Sequence, residues 1–597
     1  MCPHSVSGSA FSKEDSPVEE DGPVNVSGLI SVDLPALASD TITGRAASDP
    51  ASRRDDAGAP RPGAGHRLLY RFGFVALDRD AYPLKAKAHA TPRDLGWVAR
   101  RMGPVMLWTQ PEAPLRVSRA GETRFVVIGD AVPETDAAAG DPFAPERLAQ
   151  VLAGGDAALL DFLDTFAGRF ALLVVEPGRV RVFHDPLGSR AVFYHGAGPF
   201  AVASHADLLA RCVGAPPDAA VAALLRHPEF HRRKTKSLPG DLTRASGVYA
   251  LTPNNCFDSA TGRTVRYWPR EPNRPGSLEA FHDRLGQSLA ALGRYVSGRY
   301  VSGRYAPVVG ATAGADTRVV IAAFMHLGVP FETATWTTDA LSERERGIIR
   351  ALVACTGVPH LDTRPTSGRK GLREIIWTNS GQYRRAYPAT FEMRAAYADR
   401  PDMVFLRGHG AEVMRGFFNL WLTRMKTATP AELARLFWAP KKDRAPREVE
   451  EMFADFMRRA HYDTLADKGF DPNDIFYWEH RLGMWSAGLN NEFDVAGRSL
   501  IAFNSRPLFE ASLALPPEVR LTNQLFLAAT RRFEPRLADL PLEKMVEAPE
   551  ARAASRPRTL TTALAKAARR GRGRFARLRR RLRALAGTPG PKRRPRG

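Results

Sequence analysis

"VVGATAGADTRVVIAAF", residues 308–324, decides the fold of half the chain. Two valines lead into a turn of small residues, which gives way at Asp316 to an apolar run at helical spacing. In sheets that alternate with helices, ligands sit where strands end and helices begin. Free backbone N–H groups and the positive end of the helix hold anions there. Gly310, Thr312, Ala313, Gly314 and Thr317 are small enough for the backbone to close around a phosphate. The turn has no Lys, so it departs from the GxxxxGK[ST] pattern. Asp316 would repel a phosphate unless a cation lay between them, which makes an Mg2+ ligand its most economical role. A strand-to-helix turn without a ligand fits the same residues.

The surrounding sequence repeats the alternation. "LEAFHDRLGQSLAALGRYV", "YAPVVGATAG", "FETATW" and "DMVFLRGHG" read as helices around isolated apolar strands, which predicts a doubly wound α/β domain over 269–545. Within it "RYVSGRYVSGRY", 294–305, repeats a five-residue unit and reads as a lengthened helix-to-strand connection. Upstream, 67–268 predict an α+β domain whose order begins at "RLLYRFGFVALD". "GRFALLVVEPGRVRVFHDPLGSRAVFYH" predicts a three-strand meander with turns at "EPGR" and "DPLGSR". Residues 1–66, rich in Ser, Ala, Gly, Pro and Asp, predict a disordered arm.

The chain has 597 residues and a formal net charge of +21. The segment 551–597 holds 17 Lys and Arg with no Asp or Glu, which leaves +4 for everything before it. Basicity therefore belongs to a tail, 546–597, and nucleic-acid binding is not a property of the body. No window approaches the roughly 18 apolar residues of a membrane span, and no basic-then-apolar leader opens the chain. Cys2, Cys212, Cys256 and Cys355 are scattered without metal spacing, as in a cytoplasmic protein.

"TAGADTR" resembles the SGGxDS pyrophosphate loop of the asparagine synthetase family. Thr312 replaces the first Ser, Ala313 the first Gly and Thr317 the last Ser, while Gly314 and Asp316 are kept. The meander resembles the same family's amidotransferase half. "GVYALTPNNCFDSATGRTVRYWP" is similar to its inter-domain join, and "LRGHGAEVMRGFF" stands where it has GEGADELFGGY. "YWEHRLGMWSAG" and "AFNSRPLFEASLALP" also look like its helical part. The order of these segments is the family's. The resemblance implies an Ntn-hydrolase-like sandwich followed by an ATP-pyrophosphatase domain. It implies an ATP- and Mg2+-dependent ligase that makes an amide through an acyl-adenylate.

Several positions depart from that pattern. The family's glutaminase uses an N-terminal Cys on its first strand. Here Cys2 is followed by about 65 residues before any strand, and Phe72-Gly73 takes the Cys-Gly position. Ile128-Gly129 replaces the Asn-Gly oxyanion element and lacks its side-chain donor. The resemblance thus implies an inactive glutaminase half. Gly408 remains in the second motif, His409 replaces a Glu involved in substrate handling, and Glu412 stands for the Asp that shares the metal with Asp316. His409 also fits a turn-capping residue. A cation is needed for charge developing on the α-phosphate, and Arg318, Arg407, Arg415 and Lys544 are the candidates; each also fits a surface ion pair.

The tail places Leu564, Phe575, Leu578, Leu582 and Leu585 among arginines at near-helical spacing. An anionic membrane surface, nucleic acid, an acidic partner and plain solvation all fit it. Two function classes follow. One is a ligase joining small-molecule or peptide carboxylates to amines, ring closure included; the other is a binding protein whose nucleotide loops have drifted. Acids at both metal positions, Asp316 and Glu412, favour the ligase.

Overall fold

The computed structural model describes residues 67–82, 91–135, 140–233, 237–298, 305–336, 341–364, 366, 368, 370–383, 388–420, 425–438 and 444–543. The chain divides into two compact units, Met1–Val546 and Glu547–Gly597, and all described residues belong to the first. The N-terminal arm, Lys544 and the basic tail lie outside the described residues.

The first half contributes β1 (Phe74–Asp78), β2 (Val98–Met102), β3 (Val105–Thr109), β4 (Leu115–Ala120), β5 (Thr123–Pro133) and β6 (Phe166–Glu176). β7 (Arg179–His184), β8 (Phe193–His195), β9 (Ala201–Ala203), β10 (Val248–Ala250), β11 (Asn255–Asp258) and β12 (Arg263–Arg266) follow. They form two antiparallel sheets, ordered β10-β8-β9-β1-β3-β2 and β12-β11-β7-β6-β5-β4. Alternate residues serve opposite faces. Val126, Ile128 and Leu173 meet Phe74 and Leu107 between the sheets. Phe125, Val127 and Leu172 pack outward on the helices Pro145–Ala153 and Gly155–Leu163 through Leu148 and Phe162. On the far side Val75 and Leu77 meet Leu208 and Leu209 of the helix Ala206–Val213. The order is helix, sheet, sheet, helix. Burial on both faces explains why "FALLVV" in β6 is continuously apolar.

Two expectations change here. Arg67–Phe72 is not strand: Tyr70 and Phe72 have φ of 52° and 58°, and the Gly73 N–H turns back onto the Tyr70 carbonyl at 2.8 Å. Nor is the meander a single sheet. β6 and β7 pair, but β8 joins the other sheet, because "DPLGSR" bridges the layers. The Asp185 carboxylate holds that turn by accepting from the N–H groups of Ser189 (2.8 Å) and Arg190 (2.7 Å).

The second half contains β13 (Ala306–Gly310), β14 (Glu332–Thr335), β15 (His360–Asp362), β16 (Met403–Arg407) and β17 (Arg498–Ile501). All pair in parallel, in the order β15-β14-β13-β16-β17. Helices connect them. One is Glu343–Thr356, which starts at a Ser342–Glu345 capping box and stops at Gly357 in the left-handed region. The strand order reverses between β13 and β16, and that crevice is where open α/β sheets take ligands.

Buried polar contacts join the halves. Gly129 and Gly168, at φ +110° and +101°, flank the cross-strand pair Asp130–Arg169; a Cβ on either would stand 2.3 Å from the opposite strand's carbonyl oxygen. Close approach there turns Arg169 onto Asp494, with Nη2 to Oδ2 at 2.8 Å, both side chains being buried. Asp130 Oδ1 accepts from the hydroxyls of Tyr295 and Tyr305, each at 2.9 Å. The five-residue repeat thus does more than add length: its first and last tyrosines share one carboxylate.

Candidate functional site

The turn after β13 is pinned at its start. The Ala311 N–H donates to the Ala334 carbonyl, and the Thr335 hydroxyl donates to the Ala311 carbonyl, both at 2.9 Å. The hydroxyls of Thr312 and Thr317 lie 2.8 Å apart and close the turn from side to side, while the Gly314 N–H donates to Thr312 Oγ1 at 3.3 Å. The helix Asp316–His326 then begins at Ala315, and no side chain caps it. Its first N–H groups therefore depend on solvent or a ligand.

The turn after β16 lies against this one. A Cβ on Gly408 would stand 3.3 Å from Thr317 Cγ2 and 3.5 Å from Asp316 Cβ, so only a residue without a side chain fits between the loops without displacement. Gly410, at φ +95°, bends the chain into Ala411–Met414, and a Cβ there would meet Phe509 at 3.1 Å. Glu412 Oε2 accepts from the Gly410 N–H at 3.1 Å. Arg415 Nη2 donates to Asp316 Oδ2 at 2.7 Å, and its Nε has no partner among the described residues.

Electrostatics sharpen the arrangement. Burial raises the Asp316 carboxyl above its ordinary value, and Arg415 opposes the rise. Burial likewise pushes Glu412 up to about 7, with Arg415 opposing and Asp316 adding to it. Each acid is thus held at an energetic disadvantage that a bound cation would relieve. Asp316 keeps 23% of its side chain exposed, so a ligand can reach it. Among the described residues no three His, Cys, Asp or Glu side chains form a metal cage. Two carboxylates suit Mg2+ that arrives with phosphate oxygens of its own.

A ten-residue π-helix, Tyr477–Ser486, forms the next wall. The Ser486 hydroxyl is 2.9 Å from His409 Nδ1, and the His409 ring is 5.8 Å from Trp485. The Arg481 guanidinium stacks on Trp485 at 4.0 Å. Burial, with Arg407 and Arg481 adding to it, lowers His409 to about 3, so its imidazole is neutral at physiological pH. Wide π turns often mark functional sites, because they set side chains at a spacing an α-helix cannot offer.

Gly310, Thr312, Ala313, Gly314, Asp316, Thr317, Gly408, His409 and Glu412 therefore lie on two touching loops. Arg318 does not face them. It is fully buried, and its guanidinium donates to the carbonyls of Leu537, Leu540 and Pro541. Of the candidate cations, Arg415 reaches the acids. Lys544 lies outside the described residues, though the N–H of its neighbour Glu543 donates to the Ala313 carbonyl at 3.1 Å.

No protein-family model matches the chain, and no curated protein matches it in sequence. Among solved structures it is similar to the NMN synthetase of Francisella tularensis, at 13% identity and a TM-score of 0.18. That likeness covers 34% of this chain and 94% of that one. It is also similar to the B. subtilis glutamine phosphoribosylpyrophosphate amidotransferase complexed with ADP and GMP, at 13% identity and a TM-score of 0.20, over 59% of this chain and 71% of that one. At these scores neither likeness bears on the chemistry, which rests on the site itself.

In the first half, the residues that lead into β1 are closed in by neighbouring side chains. The Phe72 N–H donates to Gln110 Oε1 at 3.3 Å, and the Phe72 carbonyl accepts from Arg190. Ile128 is fully buried between the sheets. Arg498 covers the Phe72 ring at 5.8 Å. The sequence reading missed Ser486 and Arg481, and also Tyr477, which lies within electrostatic reach of Glu412 and Arg415. "YWEHRLGMWS" is dense in aromatic and basic residues, but local spacing does not reveal a π-helix.

Proposed function

We propose that this chain is an ATP- and Mg2+-dependent ligase that forms an amide bond through an acyl-adenylate and releases pyrophosphate. One observation carries the proposal: at the point where the strand order reverses, two loops touch through Gly408, and Asp316, Arg415 and Glu412 converge there. Thr312, Ala313, Gly314 and the uncapped helix start would hold the phosphates. Asp316 and Glu412 would hold Mg2+, which supplies charge neutralisation to the leaving pyrophosphate. Of the four candidate cations, Arg415 would stabilise negative charge as it develops.

His409 fits a positioning role better than that of a base. A group that protonates only near pH 3 accepts a proton poorly at neutral pH. Its link to Ser486 fixes the ring, so it can orient the amine or carboxylate by hydrogen bonding. With the Phe72 position closed, the amine would come from a substrate, an internal amine in a ring closure included, rather than from glutamine.

A second reading, a binding protein with a drifted site, draws on the engagement of Asp316 by Arg415. Calorimetric titration of Mg2+–ATP into the wild type and Asp316→Ala separates the two. The expected outcome is binding to the wild type, weakened in the variant by at least about tenfold, or ~1.4 kcal/mol. Equal affinities would remove Asp316 from the site and sink the ligase assignment.

A further inference from the structure

We infer that Arg318 is a positioning residue that fastens the segment Leu537–Glu543 behind the phosphate turn and thereby sets the orientation of the turn's peptide groups. Arg318 is the third residue of the helix Asp316–His326 and is fully buried. Its Nη1 donates to the carbonyls of Leu537 (3.2 Å) and Leu540 (2.6 Å), and its Nη2 to that of Pro541 (2.7 Å). Among the described residues no carboxylate pairs with it, so three carbonyl dipoles are what compensate a buried cation. Because the guanidinium is a rigid fork, it fixes all three carbonyls relative to the helix at once.

The strap so held ends on the turn. Arg344 Nη2 donates to the Leu542 carbonyl at 3.3 Å, and the Glu543 N–H donates to the Ala313 carbonyl at 3.1 Å. The peptide group is planar and trans, so its C=O and N–H point in opposite directions. With the Ala313 carbonyl turned out to the strap, the Gly314 N–H turns in, where it meets Thr312 Oγ1. A flip of this one peptide would aim a carbonyl oxygen at the place where an anion should sit. Gly314 offers little resistance to such a flip; the strap supplies it.

The effect on nucleotide rests on the proposed function, whereas the mechanical link does not, and the experiment reads the two separately. Hydrogen exchange and Mg2+–ATP calorimetry are carried out on the full chain, its Arg318→Met and Arg318→Lys variants, and Glu543→Pro. The last removes a single N–H from the strap and covers the case in which Arg318→Met does not fold. In Arg318→Met and Glu543→Pro, amides of 311–317 and of 535–543 are expected to exchange faster together. Mg2+–ATP affinity should fall about tenfold, the scale of one lost hydrogen bond. Arg318→Lys, which keeps a buried donor, should restore part of both. Faster exchange in 535–543 with 311–317 unchanged would overturn the inference, as would a lower Tm with unaltered exchange in both segments. If the wild type binds no Mg2+–ATP, the nucleotide reading fails by itself, and coupled exchange still decides the role of Arg318.

Discussion

Glu412 is the residue whose state reports most on the site. Burial, with Asp316 adding to it, lifts its carboxyl from an ordinary 4.5 to about 7. An acid raised in the native state binds protons more readily there than in the unfolded chain. Its contribution to stability is therefore most favourable below the unfolded value and is lost as pH rises towards the folded one. Glu412→Gln should accordingly raise the Tm of the metal-free protein at pH 8, give little gain at pH 5, and weaken Mg2+–ATP binding. Thermal melts at the two pH values check this; a lower Tm at pH 8 would mean that the charged carboxylate is a structural partner of Arg415. At this scale the sequence disclosed residue types but not their partners. Asp316 stood out because an acid beside a turn suited to phosphate needs a cation, and Glu412 through the resemblance of its motif to GEGADE. The Asp316–Arg415 pair spans 99 positions and the His409–Ser486 pair 77, and no local pattern links such positions.

Among the elements, the helix Leu278–Val296 was legible from its apolar spacing, and Ser277 caps its start, whereas Glu343–Thr356 was not read although Ser342 and Glu345 cap it. The meander was misread for a physical reason. Whether "DPLGSR" continues one sheet or crosses to the next is settled with Asn504, whose Nδ2 donates to Asp185 Oδ1 at 2.6 Å from 319 positions away. β1 bears on activity. An N-terminal nucleophile needs a free amine at the start of its strand, whereas the Phe72 N–H is an amide bonded to Gln110. Glutamine should therefore not be hydrolysed. An ammonia-release assay is expected to show no glutamine-dependent signal in the wild type or in Cys2→Ala. Release that disappears in Cys2→Ala would reverse the conclusion and bring Cys2 to the site.

At the scale of the molecule, the two halves share charges that neither could bury alone. Arg169 of β6 and Asp494 lie in the junction with side-chain exposures of 2% and 0%. Arg266 and Glu479 form a second pair, at 4% and 0%. Removing one partner of a buried pair costs about 3–5 kcal/mol, because the other is left charged and dry. Asp494→Ala should lower stability by that order and leave the two halves unfolding in one transition. Denaturation followed by segment-resolved hydrogen exchange checks it; protection kept in the antiparallel sheets after the parallel sheet has opened would show that the halves fold independently. No described helix is long and apolar enough to cross a membrane. The tail, for which an anionic membrane surface, nucleic acid, an acidic partner and plain solvation are the expectations, lies outside the described residues. Any truncation that removes it has to retain Glu543, which is bonded to the turn after β13.

The tyrosines of the five-residue repeat carry a consequence for how this gene can vary. Tyr295 and Tyr305 bind the same carboxylate, and the Tyr305 N–H donates to the Val296 carbonyl at 3.2 Å, so the two ends of the repeat meet at one point. Replication slippage adds or deletes whole copies of a tandem unit. Gain of copies, or loss of one, would still leave a tyrosine at both ends of the repeat. A change of one copy at 294–305 thus keeps both of the tyrosine donors that Asp130 accepts from.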